Sequence, residues 1–426
     1  MRTTTTFNPI FMRVGICLLI LGMTHIPAAF SNEESKISLE RAIKTALREN
    51  PGLNVIREKI KVARARIEGI ALLGNPELET KFLGGPHAEQ TLELTKAFQL
   101  GGQRGHRKQM AKTHLEKVNA ALTEASRTLV KLVKVTFYEL LLVQEKLKLT
   151  QEIVEHNKQM RDIAQTRLEA GDISVTQTNL ANIRLQSALR EAATLENELR
   201  LAQLTLNGLM GTSLETVYIA MGDLDEKVSP DLSQNWTLDT LKTQARAHRA
   251  DLQSLQLNAQ LTESELRLAK ASNIPDLGIG AIAERSANEN AFGVKFSIPL
   301  PLFDRNRDKV NAAKAQQQVD TVEINTHERK IERQVIAAFI SLRTAQETLK
   351  FYEGDSLKLL NENLILTRTA YELGEAELLE VILMQNEFIK IQFAYLDALG
   401  AYHKALAELE AAIGTSLESV PATPND

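Results

Sequence analysis

The chain of 426 residues has one cysteine, Cys17, inside the apolar stretch near its N-terminus. A chain cut after that stretch has no disulfide and no thiolate metal site. Ile16 precedes Cys17 and the apolar run continues beyond it, so no lipoprotein anchor is expected. Aromatic residues make up only 5%, with Trp236 the single tryptophan. No basic cluster is interleaved with aromatics, and the formal charge is -4, so nucleic acid is not an expected partner. Beyond His25 in the N-terminal stretch, the histidines His87, His106, His114, His156, His248, His327 and His403 include no pair spaced three or four apart. Metal ligands need convergent spacing, so no metal site, cofactor or enzyme activity is expected. No Gly-x-Ser-x-Gly nucleophile motif or catalytic carboxylate pair appears either.

Proline is absent from 87–229 and from 302–420. Proline breaks helix interiors, so these gaps mark where long helices can run. After the N-terminal stretch no run reaches 18 apolar residues, which argues against a membrane-spanning helix.

What is present begins with a secretory signature over residues 1–31. Arg2 and Arg13 precede the apolar Val14–Met23, and Ala29 and Ser31 are small residues at the cleavage positions. Without that segment the chain carries about two fewer positive charges. An exported chain without an apolar helical span is either soluble or a β-barrel.

From Gln103 to Gly211 the only interior glycines are Gly105, Gly171 and Gly208. This stretch reads as a helical hairpin turning at Leu168–Ile173. A helix of about 65 residues reaches roughly 100 Å. The pattern recurs over 305–414, turning at Tyr371–Glu375. Ahead of each hairpin come two short helices and two segments of period-two alternation. The first pair of strands spans about 76–100, around Gly84-Gly85-Pro86, and the second about 275–300. Leu78, Phe82, Leu92, Leu94 and Phe98 fall on one side of the first pair. Leu277, Ile279, Val294, Phe296 and Ile298 fall on one side of the second. Pro76 matches Pro275 at an offset of 199, Phe137 matches Phe339 at 202, and Gly171 matches Gly374 at 203. A nearly constant offset indicates a duplicated unit, 32–211 and 237–417, with a linker over 212–236 and a tail over 418–426.

Four amphipathic strands cannot close a barrel, and an open sheet in lipid exposes unpaired backbone. Either the apolar face is covered in a soluble protein, or several chains share one barrel. Alanine-rich helical stripes such as Leu115, Val118, Leu122, Ala125 and Leu129 suit side-by-side coiled-coil packing.

The chain resembles the TolC-type outer-membrane efflux proteins over its whole length after the leader. The resemblance rests on the duplicated order and on four local motifs: Gln99–Arg104 and Pro299–Arg307 before the long helices, and Arg167–Ser174 and Ala370–Glu375 at the tips. The Leu100-Gly-Gly segment looks most like the heavy-metal branch, of cobalt-zinc-cadmium or copper-silver type. The resemblance implies a mainly α fold with a β-barrel part. It implies a homotrimer with a 12-stranded barrel in outer-membrane lipid, continued by a 12-helix periplasmic α-barrel. It also implies a passive exit duct docked to a periplasmic adaptor and an inner-membrane RND-type pump. The docking surface would comprise Arg167, Leu168, Gly171, Asp172, Tyr371, Leu373, Gly374 and Glu375. Glu380 stands at one expected acidic position of a gate, while Leu383 replaces the other. A duct for organic compounds and a periplasmic coiled-coil scaffold remain alternatives.

Overall fold

A computed structural model describes residues 35–71, 74–84, 89–225, 236–286, 289–352 and 356–417. The expected signal segment and C-terminal tail lie outside the described residues. In chain order the elements are β1 (Ser35–Ser38), α1 (Leu39–Glu49), α2 (Pro51–Ala71), β2 (Glu77–Leu83), β3 (Glu89–Phe98), α3 (Gln103–Glu169) and α4 (Val175–Met210). They continue with β4 (Tyr218–Met221), α5 (Leu238–His248), α6 (Ala250–Ala271), β5 (Leu277–Arg285), β6 (Asn290–Ser297), α7 (Arg307–Lys350), α8 (Ser356–Glu372) and α9 (Leu378–Ile413).

The spine is α3, a single helix of 67 residues. At 1.5 Å per residue it runs about 100 Å. Its buried residues Leu129, Val133, Thr136, Leu140, Val143, Leu147, Thr150, Val154, Asn157 and Ala164 keep a strict seven-residue repeat. Alternating steps of three and four hold one stripe against neighbouring helices, as in a coiled coil. Over its whole length α3 packs on α4, α6, α2 and α9.

The returning helices are much shorter than α3: α4 and α9 have 36 residues each. The short helices complete the length. The last turn of α4 meets the start of α2, because Asn50 Nδ2 donates to the Leu209 carbonyl at 2.9 Å. The last turn of α9 meets the start of α6, where Arg249 Nη1 donates to the Ala412 carbonyl at 3.1 Å. Laid end to end, the 21 residues of α2 and 36 of α4 span roughly 85 Å, close to the rise of α3. Two glycines permit the close approach. A Cβ on Gly211 would sit 2.7 Å from the Glu49 carbonyl oxygen, and both Gly211 and Gly414 have positive φ.

The second outgoing arm is not one helix. The continuous arm expected from about 305 to the turn at 371–375 stops at Lys350, and α8 starts at Ser356. The sequence offset explains the interruption. Ile331, Val335, Ala338, Leu342, Ala345 and Leu349 form the buried seam of α7, at +202 from the seam of α3. In α8 the partly buried Leu357, Leu360, Leu364 and Thr367 and the buried Tyr371 continue the seam at +203. One extra residue in an unbroken helix would turn the seam by about 100°. The interruption absorbs it and keeps the stripe aligned. Gly354, a poor helix residue, stands in the intervening sequence.

The four strands expected from period-two patterning form one antiparallel sheet of order β2-β3-β5-β6. A second sheet was not expected. Within the stretch read as linker, β4 pairs in parallel with β1, matching Ile37 to Ala220. This small sheet, with α1 and α5, covers the middle of α3 and α9 in a core that contains Phe137, Tyr402, Leu224 and Trp236.

Candidate functional site

The first candidate site is the sheet. Its register places Leu78 opposite Leu94, Leu94 opposite Ala281, and Ala281 opposite Val294. Phe98 pairs with Leu277, and Ile279 with Phe296. Paired residues point to the same side. Leu78, Phe82, Leu92, Leu94, Phe98, Leu277, Ile279, Val294 and Phe296 therefore share one face, and Ile298 follows just after β6. On this face Phe82, Val294 and Phe296 are exposed over most of their surface.

The opposite face carries Glu77, Glu79, Lys81, Thr91, Glu93, Thr95, Lys295 and Ser297. Lys295 donates to Glu93, two strands away. Gly280 of the intervening β5 pairs with both Thr95 and Lys295 and leaves the path clear. A Cβ there would meet the Thr95 Oγ1 and Leu94 carbonyl oxygen at 2.7 Å.

The second candidate site is the far end of the helices. Both tips close with the same glycine motif. Asp172 N–H bonds to the Arg167 carbonyl at 2.9 Å, and Glu375 N–H to the Ala370 carbonyl at 2.8 Å. Gly171 and Gly374 supply the positive φ, 83° and 81°, that this turn requires. The two tips are joined within the chain. The Arg167 guanidinium lies 5.4 Å from the Tyr371 ring centre, within cation–π range. Below it Met160, Ala164, Ala181, Leu378, Val381 and Ile382 form a small apolar core.

The structure brings the tip residues together but corrects one of them. Tyr371 is 1% exposed, held in that core rather than displayed as docking surface. It occupies a seam position, so its ring packs inward. Burial pushes its phenol up from the ordinary value, against the opposing influence of Arg167. Gly171, Asp172, Leu373, Gly374 and Glu375 are exposed, and Arg167 and Leu168 are partly so. Glu380 is exposed in the first turn of α9, just before the buried Val381 and Ile382. An acid there is favoured by the helix N-terminus.

Sequence reasoning missed a second tie near the tips. Arg368 of α8 donates to His156 Nδ1 at 2.5 Å and also to Gln159, both on α3. Burial and the Arg368 charge push the His156 pKa down. The sequence reading took His156 as one of several scattered histidines, and nothing in one sequence paired it with position 368.

Among the described residues no group of three His, Cys, Asp or Glu side chains could hold a metal ion. No described helix is long and apolar enough to cross a membrane.

Comparison with known proteins agrees with this geometry. The family model described as "Outer membrane efflux protein" matches residues 42–212 and again 241–415. The cobalt-zinc-cadmium resistance protein CzcC of Cupriavidus metallidurans is 24% identical over 400 residues, covering 92% of this chain and 94% of that protein. The nickel-cobalt-cadmium resistance protein NccC of Alcaligenes xylosoxydans xylosoxydans is 24% identical over 352 residues, covering 76% and 75%. Among solved structures, CusC superposes with a TM-score of 0.73 at 17% identity, covering 89% of this chain and 92% of that one. With both halves matched in register with the two structural units, the chain belongs to the outer membrane efflux protein family.

Proposed function

We propose that three copies of this chain form the exit duct of a tripartite efflux system and pass heavy-metal cations across the outer membrane. The carrying observation is the sheet. One face is mainly apolar across all four strands, with Thr80, Lys96, Gln90, Arg285 and Asn290 among its polar members, the other is mainly polar, and β2 and β6 each keep an unpaired edge. Lipid does not tolerate unpaired backbone, so β6 of one copy pairs with β2 of the next. Two copies would give eight strands, whose interior side chains fill. Three give twelve, with room for a wet lumen lined by Glu93, Lys295 and their neighbours.

The helices continue the duct. Four of them stand side by side in one chain beneath the sheet, in the order α2-α3-α6-α7. Three chains therefore place twelve around the axis. The exposed tips around Leu373 and Glu375 are the surface for a periplasmic adaptor and, through it, an inner-membrane RND-type pump. No step needs catalysis by this chain.

The metal assignment draws on CzcC and NccC, whose names specify cobalt, zinc, nickel and cadmium resistance. Charge at the tips supports it. Residues 161–180 and 368–380 hold seven acidic and three basic side chains, Glu380 among the acids. Acidic rings favour cations.

The test has two arms. The protein should fractionate with the outer membrane and form cation-selective pores in planar bilayers. Its deletion should sensitise cells to cobalt, zinc or cadmium. Recovery in the soluble periplasmic extract, or no conductance, would reject the duct and favour a scaffold. Sensitivity to organic toxicants alone would reject the metal assignment.

A further inference from the structure

We propose that the helix ends adjoining the sheet form a basic collar that seats on anionic phospholipid headgroups of the leaflet facing the periplasm. This rests on the outer-membrane reading above. Four stretches adjoin the sheet: 59–71, 103–114, 266–273 and 304–314. Together they hold fourteen Lys and Arg against three Asp and Glu. The whole chain holds 50 and 54, leaving 36 basic and 51 acidic residues elsewhere. Positive charge is thus concentrated at one end of an acidic chain.

Part of this charge is paired locally, Lys61 with Glu58 and Arg267 with Glu263. Lys108, Lys112, Arg305 and Lys309 are exposed and make no ion pair among the described residues. A second observation sets their depth. The segment after β6 exposes Ile298, Leu300, Leu302 and Phe303, with Phe303 99% exposed. Arg305 and Arg307 follow at once. After β3, the exposed Leu100 precedes Arg104 in the same order. Apolar strand, aromatic anchor and basic side chain in succession match hydrocarbon, interface and headgroup in turn. Basic residues at an anionic surface contribute about 1 kcal/mol each, roughly a fivefold preference.

The test uses the full-length protein after export, reconstituted in vesicles. Spin-labelled phosphatidylglycerol and phosphatidylcholine are compared for association with it. Phosphatidylglycerol should be preferred several-fold, and the preference should fall with added salt. The variant Lys108→Gln/Lys112→Gln/Arg305→Gln should lose most of it, while Lys158→Gln, on the distant half of α3, should keep it. Equal association of the two lipids overturns the collar, as does an undiminished preference in the triple variant. Failure to incorporate into vesicles of either lipid overturns the outer-membrane reading itself and the collar with it.

Discussion

Asn50 and Arg249 hold the same corner in the two halves of the chain by different chemistry. Asn50 accepts the Leu53 N–H through Oδ1 at 3.2 Å and donates through Nδ2 to the Leu209 carbonyl. Arg249 donates to the equivalent Ala412 carbonyl but has no acceptor. The accepting role passes to Asp251, whose Oδ1 takes the Leu252 N–H at 3.0 Å. Arg249 then clamps Asp251 with two bonds, of 2.8 and 2.5 Å, and His327 Nε2 reaches the same carboxylate at 2.8 Å.

The two corners should therefore differ in sensitivity. Arg249 is 4% exposed, and Arg249→Ala leaves Asp251 without its clamp. A loss of about 3–5 kcal/mol is expected for breaking such a pair. Asn50→Ala removes a cap and one further bond and should cost about 1–2 kcal/mol. Denaturant midpoints of the two variants would rank them; equal midpoints would contradict the division of labour.

Acid should weaken the protein in two separate windows. His403 is buried, its Nε2 bonded to the Leu224 carbonyl at 2.8 Å and its Nδ1 without a partner. Burial holds its pKa below the ordinary histidine value. The unfolded chain therefore binds the proton first, and stability falls as pH drops below about 6.5. Asp251 is held well below the usual carboxylate range by the Arg249 and His327 bonds, which outweigh the opposing effect of burial. Its contribution is present above about pH 4 and disappears only in stronger acid. Melting temperatures measured from pH 8 to pH 3 should show both declines. His403→Gln should shrink the upper one, leaving the part due to His156, and leave the lower.

Leu94 and Phe296 test the apolar face. An arginine at either position should cost about 2–4 kcal/mol if it lies at mid-bilayer. Heat-resistant oligomer recovered from outer membranes is the readout. Wild-type recovery of both variants would contradict a lipid-facing sheet.

Tip substitutions should separate docking from folding. Leu373 is largely exposed, so Leu373→Asp should leave the melting temperature within a degree or two while reducing cross-linking to the adaptor. Gly374→Val places a β-branched residue at a φ of 81° and should cost about 1–3 kcal/mol. A Leu373→Asp protein that captures adaptor normally would remove the tip from the docking surface.

Much of this architecture was readable from residue order. Proline gaps, period-two strands and the tip glycines located the main sheet, the spine helix and both turns to within a few residues. The apolar and polar strand faces followed from alternation alone, because a pleated strand leaves no other choice. The β1–β4 sheet was not readable. Each of its strands has only four residues, and they meet across about 180 positions of sequence. Tyr371 was misjudged because a tip motif marks the turn but not which of its side chains point inward. The change of offset from 202 to 203 was visible, yet only the burial pattern shows that a helix end absorbs it.

That interruption bears on how such a chain can change over evolution. The seam of α3 packs on α4, and that of α7 with α8 on α9, the matching helix of the other half. A helix in this wall can therefore lengthen freely only by whole heptads, and its neighbours must lengthen with it. The one-residue change between α7 and α8 is discharged where a helix stops and restarts. The single surplus residue between Leu349 and Leu357 is one place where the two halves, once copies, differ in length without ceasing to fit.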